Sequence, residues 1–142
     1  MGKRILIAED EPSIVISLEF LLKGAGYEVI VAKDGSEALA LADQHRPDFV
    51  LLDIMLPMVN GFEVCRRLRQ HPALQRVPIL LLTARGRESE IARGMALGAN
   101  AYMTKPFATR ELIKTVADLL GACEPSSSQA VDAIPPADTD PK

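Results

Sequence analysis

Carboxylates stand beside apolar runs at two places in this sequence. Glu9, Asp10 and Glu11 follow the run RILIA, and Asp53 ends the run FVLLD. An ionised carboxylate in apolar surroundings costs free energy unless a cation or hydrogen-bond donors face it. If these acids meet, a repulsion of about 4 kcal/mol at ~4 Å and an effective dielectric of ~20 requires a shared cation or a retained proton. Several oxygen ligands of this kind suit Mg²⁺, which binds one or two carboxylates together with phosphate oxygens.

Two further reactive side chains also end apolar runs. Thr83 ends PILLLT, and Lys105 ends AYMTK. In an open parallel sheet, ligands bind beyond the carboxyl ends of the strands. If these runs are parallel strands, the acids, the hydroxyl and the ammonium group lie at one edge, where a metal ion would turn the acidic cluster into a phosphoryl-binding site.

Five short apolar runs alternate with amphipathic segments, which predicts an α/β fold with a parallel sheet, right-handed crossovers and helices on both faces. The third and fourth runs are almost wholly aliphatic, as in parallel strands that are covered on both faces. The predicted strands are Lys3–Ala8, Tyr27–Ala32, Asp48–Asp53, Pro78–Thr83 and Ala101–Lys105.

The amphipathic segments predict five helices, because apolar residues recur in them at helical spacing. Residue types that favour helix starts stand before or at the first turn of most of them. The predicted starts are Pro12, the capping pair Asp34 and Glu37, Asn60, Glu88 and Thr109. Gly94 lies inside the fourth segment, and Gly121 is expected to end the fifth.

Composition excludes several classes of function. The net charge is −3 with a pI near 5.4, and no basic stripe indicates nucleic-acid binding. No apolar run approaches the ~20 residues that span a bilayer, and the first apolar run is too short for a signal peptide. Cys65 and Cys123 match no metal or redox spacing, so we expect free thiols in a reducing compartment, the cytoplasm.

The length of 142 residues and a change in composition predict one folded domain over residues 1–122. Residues 123–142 are rich in proline and serine and are expected to form a disordered tail or a linker. The tail is too short for an effector domain. The chain is therefore expected to be either a stand-alone protein or a fragment that ends in a linker.

Four motifs together resemble the receiver domain of a two-component response regulator. They are ILIAEDEP, DFVLLDIMLPMVNGFEVCRRLR, PILLLTA and LGANAYMTKPF, and they cover about Lys3 to Gly121. The resemblance implies a flavodoxin-like, doubly wound sheet of five parallel strands in the order 2-1-3-4-5. The motif LGANAYMTKPF departs from the winged-helix transcription-factor branch of this family. That branch typically has two acidic residues where this chain has Asn100 and Ala101.

The resemblance also implies the chemistry of the site. Asp53 is expected to be the phosphoacceptor, and Lys105 to bridge it to the phosphoryl group. Mg²⁺ is expected on Asp10, with help from Glu9, Asp53 and the main-chain carbonyl of Met55.

Other positions are expected to switch the domain or to tune it. Thr83 would turn inward to the phosphoryl group, and Tyr102 would rotate as Thr83 moves. Met55 and Arg85 would tune the lifetime of the phosphoryl group, and a cis bond before Pro106 would aim Lys105 inward.

The implied function is signal reception. A histidine kinase, or a histidine phosphotransfer domain, phosphorylates Asp53, and the surface of the fourth helix, fifth strand and fifth helix changes in response. The output would be a downstream protein or a missing effector domain, and phosphorylation-dependent homodimerisation fits this scheme. The protein would catalyse only its own phosphorylation and dephosphorylation.

Two other classes of protein share part of this pattern. A phosphohydrolase of the haloacid dehalogenase type also has a nucleophilic aspartate after a strand, but it needs a second aspartate where this chain has Met55. A flavodoxin-like binding module needs a small-residue phosphate loop after the first strand, where EDEPS would repel a phosphate.

Overall fold

The structure, a computed structural model, describes residues 3–84, 88–105 and 107–122. The predicted tail and Cys123 lie outside these residues. A five-stranded parallel sheet has the order β2-β1-β3-β4-β5, which confirms the fold that the resemblance implied. Its strands are β1 (Arg4–Ala8), β2 (Glu28–Ala32), β3 (Phe49–Asp53), β4 (Ile79–Ala84) and β5 (Ala101–Lys105). No strand end differs from its predicted position by more than one residue.

The strand register brings the carboxyl ends of the strands to one level. Leu52 pairs with Ala8, so the next residues, Asp53 at the end of β3 and Glu9 after β1, lie at the same level. Lys105 pairs with Ala84 at the end of β4. This alignment places the polar residues that follow the strands at one edge of the sheet.

The core has two halves, one on each face of the sheet. All five residues of β3 are buried, and alternate residues of this strand contribute to opposite halves. One half contains Val50 and Leu52, and the other contains Phe49 and Leu51. A charged residue at the end of such a strand must therefore find its partners at the edge of the sheet.

Five helices follow the strands, as predicted. They are α1 (Pro12–Gly24), α2 (Gly35–His45), α3 (Gly61–Gln70), α4 (Glu88–Ala96) and α5 (Thr109–Ala122). Leu18 and Leu22 of α1 lie in one half of the core together with α5, whereas Ala38 and Ala42 of α2 lie in the other half with α3. In the described residues, no helix is both long enough and apolar enough to cross a membrane.

The predicted helix caps are correct for α2 and α3. The Asp34 carboxylate accepts from the Glu37 N–H at 2.7 Å, and the Asn60 side chain accepts from the Glu63 N–H at 3.0 Å. In a capping box, the Glu37 carboxylate would accept in return from the Asp34 N–H. Here it accepts from the N–H of the preceding residue, Lys33. Both caps satisfy helix N–H groups that would otherwise lack a partner.

The predicted ends of α5 are wrong by about one residue. The Leu112 N–H donates to the carbonyl oxygen of Ala108, so Thr109 is the first helical residue and not the cap. The helix also continues through Gly121 to Ala122. A Cβ atom built on Gly121 would meet no described atom beyond its own helix within 4 Å, so packing does not require a glycine at this position.

Candidate functional site

Three acidic side chains meet at the carboxyl edge of the sheet. Glu9, Asp10 and Asp53 each offer a carboxylate oxygen, and these oxygens lie within 4.8 Å of one another. Glu9 continues the path of β1, and its N–H donates to the Ala32 carbonyl oxygen at 3.1 Å. Glu9 and Asp53 are almost completely buried, whereas Asp10 is exposed.

Lys105 reaches the same place from the end of β5. Its Nζ lies 3.1 Å from Oε1 of Glu9 and 3.2 Å from Oδ2 of Asp53. The side chain is 22% exposed, so the ion pairs are shielded from solvent but remain accessible to a small ligand. The protein itself therefore supplies part of the positive charge that the clustered carboxylates require.

Main-chain donors hold the remaining oxygens of the two buried carboxylates. The Met55 N–H donates to Oδ1 of Asp53 at 3.0 Å, and the Glu11 N–H donates to Oε2 of Glu9 at 3.1 Å. Hydrogen bonds from the protein thus fix both carboxyl groups. A fixed carboxylate is favourable for a nucleophile, because it approaches a reactant in one orientation.

Among the residues that the structure describes, the site is short of positive charge. Burial, together with the nearby negative charge of Asp53, raises the pKa of Glu9 to about 6, although hydrogen bonds from Glu11 and Lys105 act in the opposite direction. Burial alone would lower the pKa of Lys105, but the Asp53 and Glu9 carboxylates outweigh this and raise it. One ammonium group faces two buried carboxylates and a third exposed one, which favours the binding of a further cation.

The donor set fits a hard divalent cation. The three clustered carboxylates offer only oxygen atoms, and Asp10 is open to solvent. Oxygen ligands of this kind suit Mg²⁺, which also retains several water molecules. The acidic cluster can therefore hold a metal ion beside the ammonium group of Lys105.

Comparison with known proteins decides the family. Residues 5–117 match the model of the response regulator receiver domain. The chain belongs to this family.

Two curated relatives are both named as transcriptional regulatory proteins. The alkaline phosphatase synthesis transcriptional regulatory protein PhoP of Bacillus subtilis (strain 168) is 46% identical over 137 residues, which cover 94% of this chain and 56% of the relative. The phosphate regulon transcriptional regulatory protein PhoB of Rhizobium meliloti (strain 1021) is 45% identical over 125 residues, which cover 88% of this chain and 55% of the relative. The chain therefore spans about half the length of these relatives.

Solved receiver structures share the fold. Chemotaxis protein CheY4 of Vibrio cholerae has a TM-score of 0.79 and 34% identity, and the match covers 84% of this chain and 99% of that one. The receiver domain of sensor histidine kinase PA1611 from Pseudomonas aeruginosa PAO1 has a TM-score of 0.80 and 33% identity, covering 85% and 99%. The latter structure has a magnesium ion coordinated in its active-site cleft.

The difference at Asn100 and Ala101 does not separate this receiver domain from transcriptional regulators, since PhoP and PhoB are both named as such. Oδ1 of Asn100 accepts from the Ile79 N–H and from Arg69, each at 2.8 Å. Asn100 therefore joins the start of β4 to α3 without a carboxylate.

Among the described hydrogen bonds, none joins either predicted switch residue to the Asp53 side chain. Thr83 is buried, and its Oγ1 lies 3.4 Å from the Ala84 carbonyl oxygen. Among the described contacts, none joins this hydroxyl to Asp53 or Lys105. Tyr102, on β5, is 49% exposed. Their roles in switching remain predictions.

Of the two positions predicted to tune the site, one can be placed. The Met55 side chain is 56% exposed next to Asp53. Arg85 lies outside the described residues, and so does Pro106, whose peptide bond was expected to aim Lys105. The ammonium group of Lys105 nevertheless points inward.

Sequence reasoning missed a glycine under the acceptor. A Cβ atom on Gly61 would lie 2.5 Å from the main-chain oxygen of Asp53, closer than real Cβ atoms approach. The Gly61 N–H also donates to the Ile54 carbonyl oxygen at 2.9 Å. The available signal is the glycine that follows Asn60, whereas the sequence prediction rests on Asn60 alone as a helix cap.

The family match leaves the dehalogenase and flavodoxin-like alternatives without support.

Proposed function

We propose that this receiver domain accepts a phosphoryl group on Asp53 from a histidine kinase or from the phosphohistidine of a phosphotransfer domain. What supports the proposal is one arrangement, in which the ammonium group of Lys105 bridges the buried carboxylates of Asp53 and Glu9. Mg²⁺ would bind to Glu9, Asp10 and Asp53, together with the main-chain carbonyl of Met55.

The reaction forms an aspartyl phosphate. A carboxylate oxygen of Asp53 attacks phosphorus, the bond between phosphorus and the donor nitrogen breaks, and the imidazole leaves with the electron pair. The metal ion, when bound, neutralises charge on the transferring group. The Met55 N–H holds Oδ1 of Asp53, while Lys105 supplies a fixed positive charge on the side of Oδ2.

Phosphorylation would redistribute these contacts. The new dianion attracts the ammonium group of Lys105 away from Glu9, and it offers an acceptor to the hydroxyl of Thr83. Tyr102 would follow Thr83, and the surface formed by α4, β5 and α5 would shift between two populations. Hydrolysis of the acyl phosphate resets the domain, at a rate that Met55 and Arg85 would tune.

The domain works as a signalling module and would catalyse only its own modification. The folded unit is proposed to be residues 1–122, and residues 123–142 a tail or linker. A downstream protein or an effector domain would read the altered surface in the cytoplasm, with homodimerisation on phosphorylation as one form of output.

Acetyl phosphate with MgCl₂ tests the proposal. Intact mass spectrometry should show the gain of one phosphoryl group that is stable in acid and lost in base. Asp53→Asn should abolish the gain, because an amide is not a nucleophile of this kind. Asp118→Asn is the matched control, since Asp118 lies on the exposed surface of α5 in a pair with Lys114.

Two results would contradict the proposal. One is a phosphoryl group that persists in Asp53→Asn. The other is continuous turnover of the donor without a stable modified form, which would indicate a phosphohydrolase.

A further inference from the structure

The loop between β3 and α3, residues 54–60, is held at three points, and we call it the acceptor loop. The Ile54 N–H donates to the Leu82 carbonyl oxygen at 3.1 Å, and the Gly61 N–H donates back to Ile54 at 2.9 Å. The third point comes from a different helix, because the Gly35 N–H at the start of α2 donates to the Pro57 carbonyl oxygen at 3.1 Å.

Gly35 lies against the main chain of this loop. A Cβ atom at position 35 would lie 1.7 Å from the Val59 carbonyl oxygen and 2.5 Å from the Val59 carbonyl carbon. Real Cβ atoms essentially never come within 3.0 Å of another heavy atom. The obstacle is backbone, which cannot rotate away as the end of a side chain can. Any side chain here must therefore displace Val59 or α2.

A displaced Val59 would disturb the phosphoacceptor site. Ile54 and Leu56 are buried, which restrains the first part of the acceptor loop. Met58, between Leu56 and Val59, already has a φ of 70°, a conformation that non-glycine residues adopt only with strain. Because Leu56 and Met58 have little freedom to absorb a shift of Val59, the loop would move as a unit and displace Met55, whose N–H holds Oδ1 of Asp53.

We infer that Gly35 is a positioning residue for phosphorylation. The missing side chain lets the start of α2 press on the acceptor loop, and this contact sets the main-chain donor and carbonyl of Met55 beside Asp53. The inference rests on the proposed function, because Mg²⁺ binding and phosphoryl transfer are the events that the loop would serve.

Gly35→Ala tests the inference in the full chain. NMR titration with MgCl₂ should give a Kd for Mg²⁺ at least about tenfold weaker than that of the wild-type chain. Mutation of residues that orient metal ligands commonly lowers metal affinity by about 10–100-fold. The rate of phosphorylation by acetyl phosphate at a fixed MgCl₂ concentration should fall as well.

Two controls separate this effect from a general loss of stability. Gly24→Ala makes the same change within α1, where nothing lies within 4 Å of the added atom, and it should leave the Kd unchanged. Leu120→Ala removes a buried side chain from the last turns of α5 and lowers stability without touching the acceptor loop. If Gly35→Ala loses stability like Leu120→Ala but keeps the wild-type Kd and rate, the role of Gly35 is structural only and the inference is wrong.

A measurement on the wild-type chain covers the case in which Gly35→Ala does not fold. Coupling between two sites is reciprocal, so Mg²⁺ should slow hydrogen exchange at the Gly35 amide. The Ala25 amide, which donates to Leu21 and Leu22 in α1, should not change. An unchanged Gly35 amide at saturating Mg²⁺ overturns the inference alone, whereas a wild-type chain that binds no Mg²⁺ overturns the proposed function along with it.

Discussion

The ammonium nitrogen of Lys105 lies 3.2 Å from Oδ2 of Asp53, although 52 residues separate them in the sequence. The same nitrogen lies 3.1 Å from Oε1 of Glu9, the residue that follows β1. The Lys105 side chain therefore reaches from the end of β5 past β4 and β3 to the end of β1. Lys105 is thus the counter-ion that makes two buried carboxylates tolerable.

Lys105→Ala is expected to destabilise the domain by about 2 kcal/mol at pH 8 in the absence of Mg²⁺, because it leaves two buried carboxylates without their cation. Saturating Mg²⁺ should restore part of this loss, since the metal ion supplies the missing charge. Thermal unfolding with and without MgCl₂ measures both effects. Lys114→Ala, in an exposed pair with Asp118, should cost less than about 0.5 kcal/mol.

Glu9→Gln is expected to stabilise the metal-free domain at pH 8 by about 1 kcal/mol. The pKa of Glu9 rises from 4.5 to about 6 on folding, so its ionisation opposes folding. Protonation of Glu9 favours the folded wild-type domain. This contribution to its stability is fully present below pH 4.5 and is lost as the pH rises through about 6. The two proteins should therefore unfold alike at pH 4.5. A variant that is no more stable than wild type at pH 8 would contradict this assignment, and Glu111→Gln on the surface of α5 should give no gain.

Met58→Gly is expected to raise the free energy of unfolding by about 0.5–1 kcal/mol. The residue has a φ of 70°, where glycine has no Cβ penalty, and its side chain is 81% exposed and buries little. Urea unfolding measures the change. The same substitution at Met95, in the last turn of α4, should bring no such gain, because no positive φ is relieved there and glycine gives the unfolded chain more freedom. Loss of stability at position 58 would show that the Met58 side chain makes a favourable contact that outweighs the backbone strain.

Glu63→Gln is expected to destabilise the domain at pH 7 and to lose this effect in acid. Hydrogen bonds from Arg66 and Arg67 lower the pKa of Glu63 from 4.5 to about 2. Its contribution is therefore present above pH 4.5 and is lost as the pH falls toward 2. Melting temperatures of both proteins between pH 7 and pH 3 should converge, and added salt should reduce the difference at pH 7. Parallel curves would mean that Glu63 acts through packing and not through charge.

Local features of the fold were predictable from the sequence because their causes are local. The aliphatic run that ends at Asp53 is buried on both faces, as its composition indicated. Asp34 and Asn60 cap their helices as their side-chain chemistry predicts. The start of α5 was misplaced because Ala108, the residue before it, has no side chain that marks a cap. The strand order came from family resemblance, since apolar runs do not indicate which strands are neighbours.

The candidate site was predictable as a set of residues but not as a geometry. Strand ends predicted that Glu9, Asp53 and Lys105 would share an edge. They did not predict that one ammonium group would contact both acids, because that depends on the path of a long side chain. The tight approach of Gly35 to Val59 was also invisible, since it arises from the docking of a helix on a loop far along the chain.

The position of Tyr102 on the outer strand β5 has a practical consequence for following this domain in solution. The chain contains no tryptophan and only two tyrosines, so tyrosine fluorescence comes from Tyr102 and Tyr27, free of any tryptophan emission. Tyr102 is about half exposed to solvent, and a rotation into the protein would change the quenching of one of two emitters. Tyr27→Phe would leave a single intrinsic reporter, at the residue whose movement is in question.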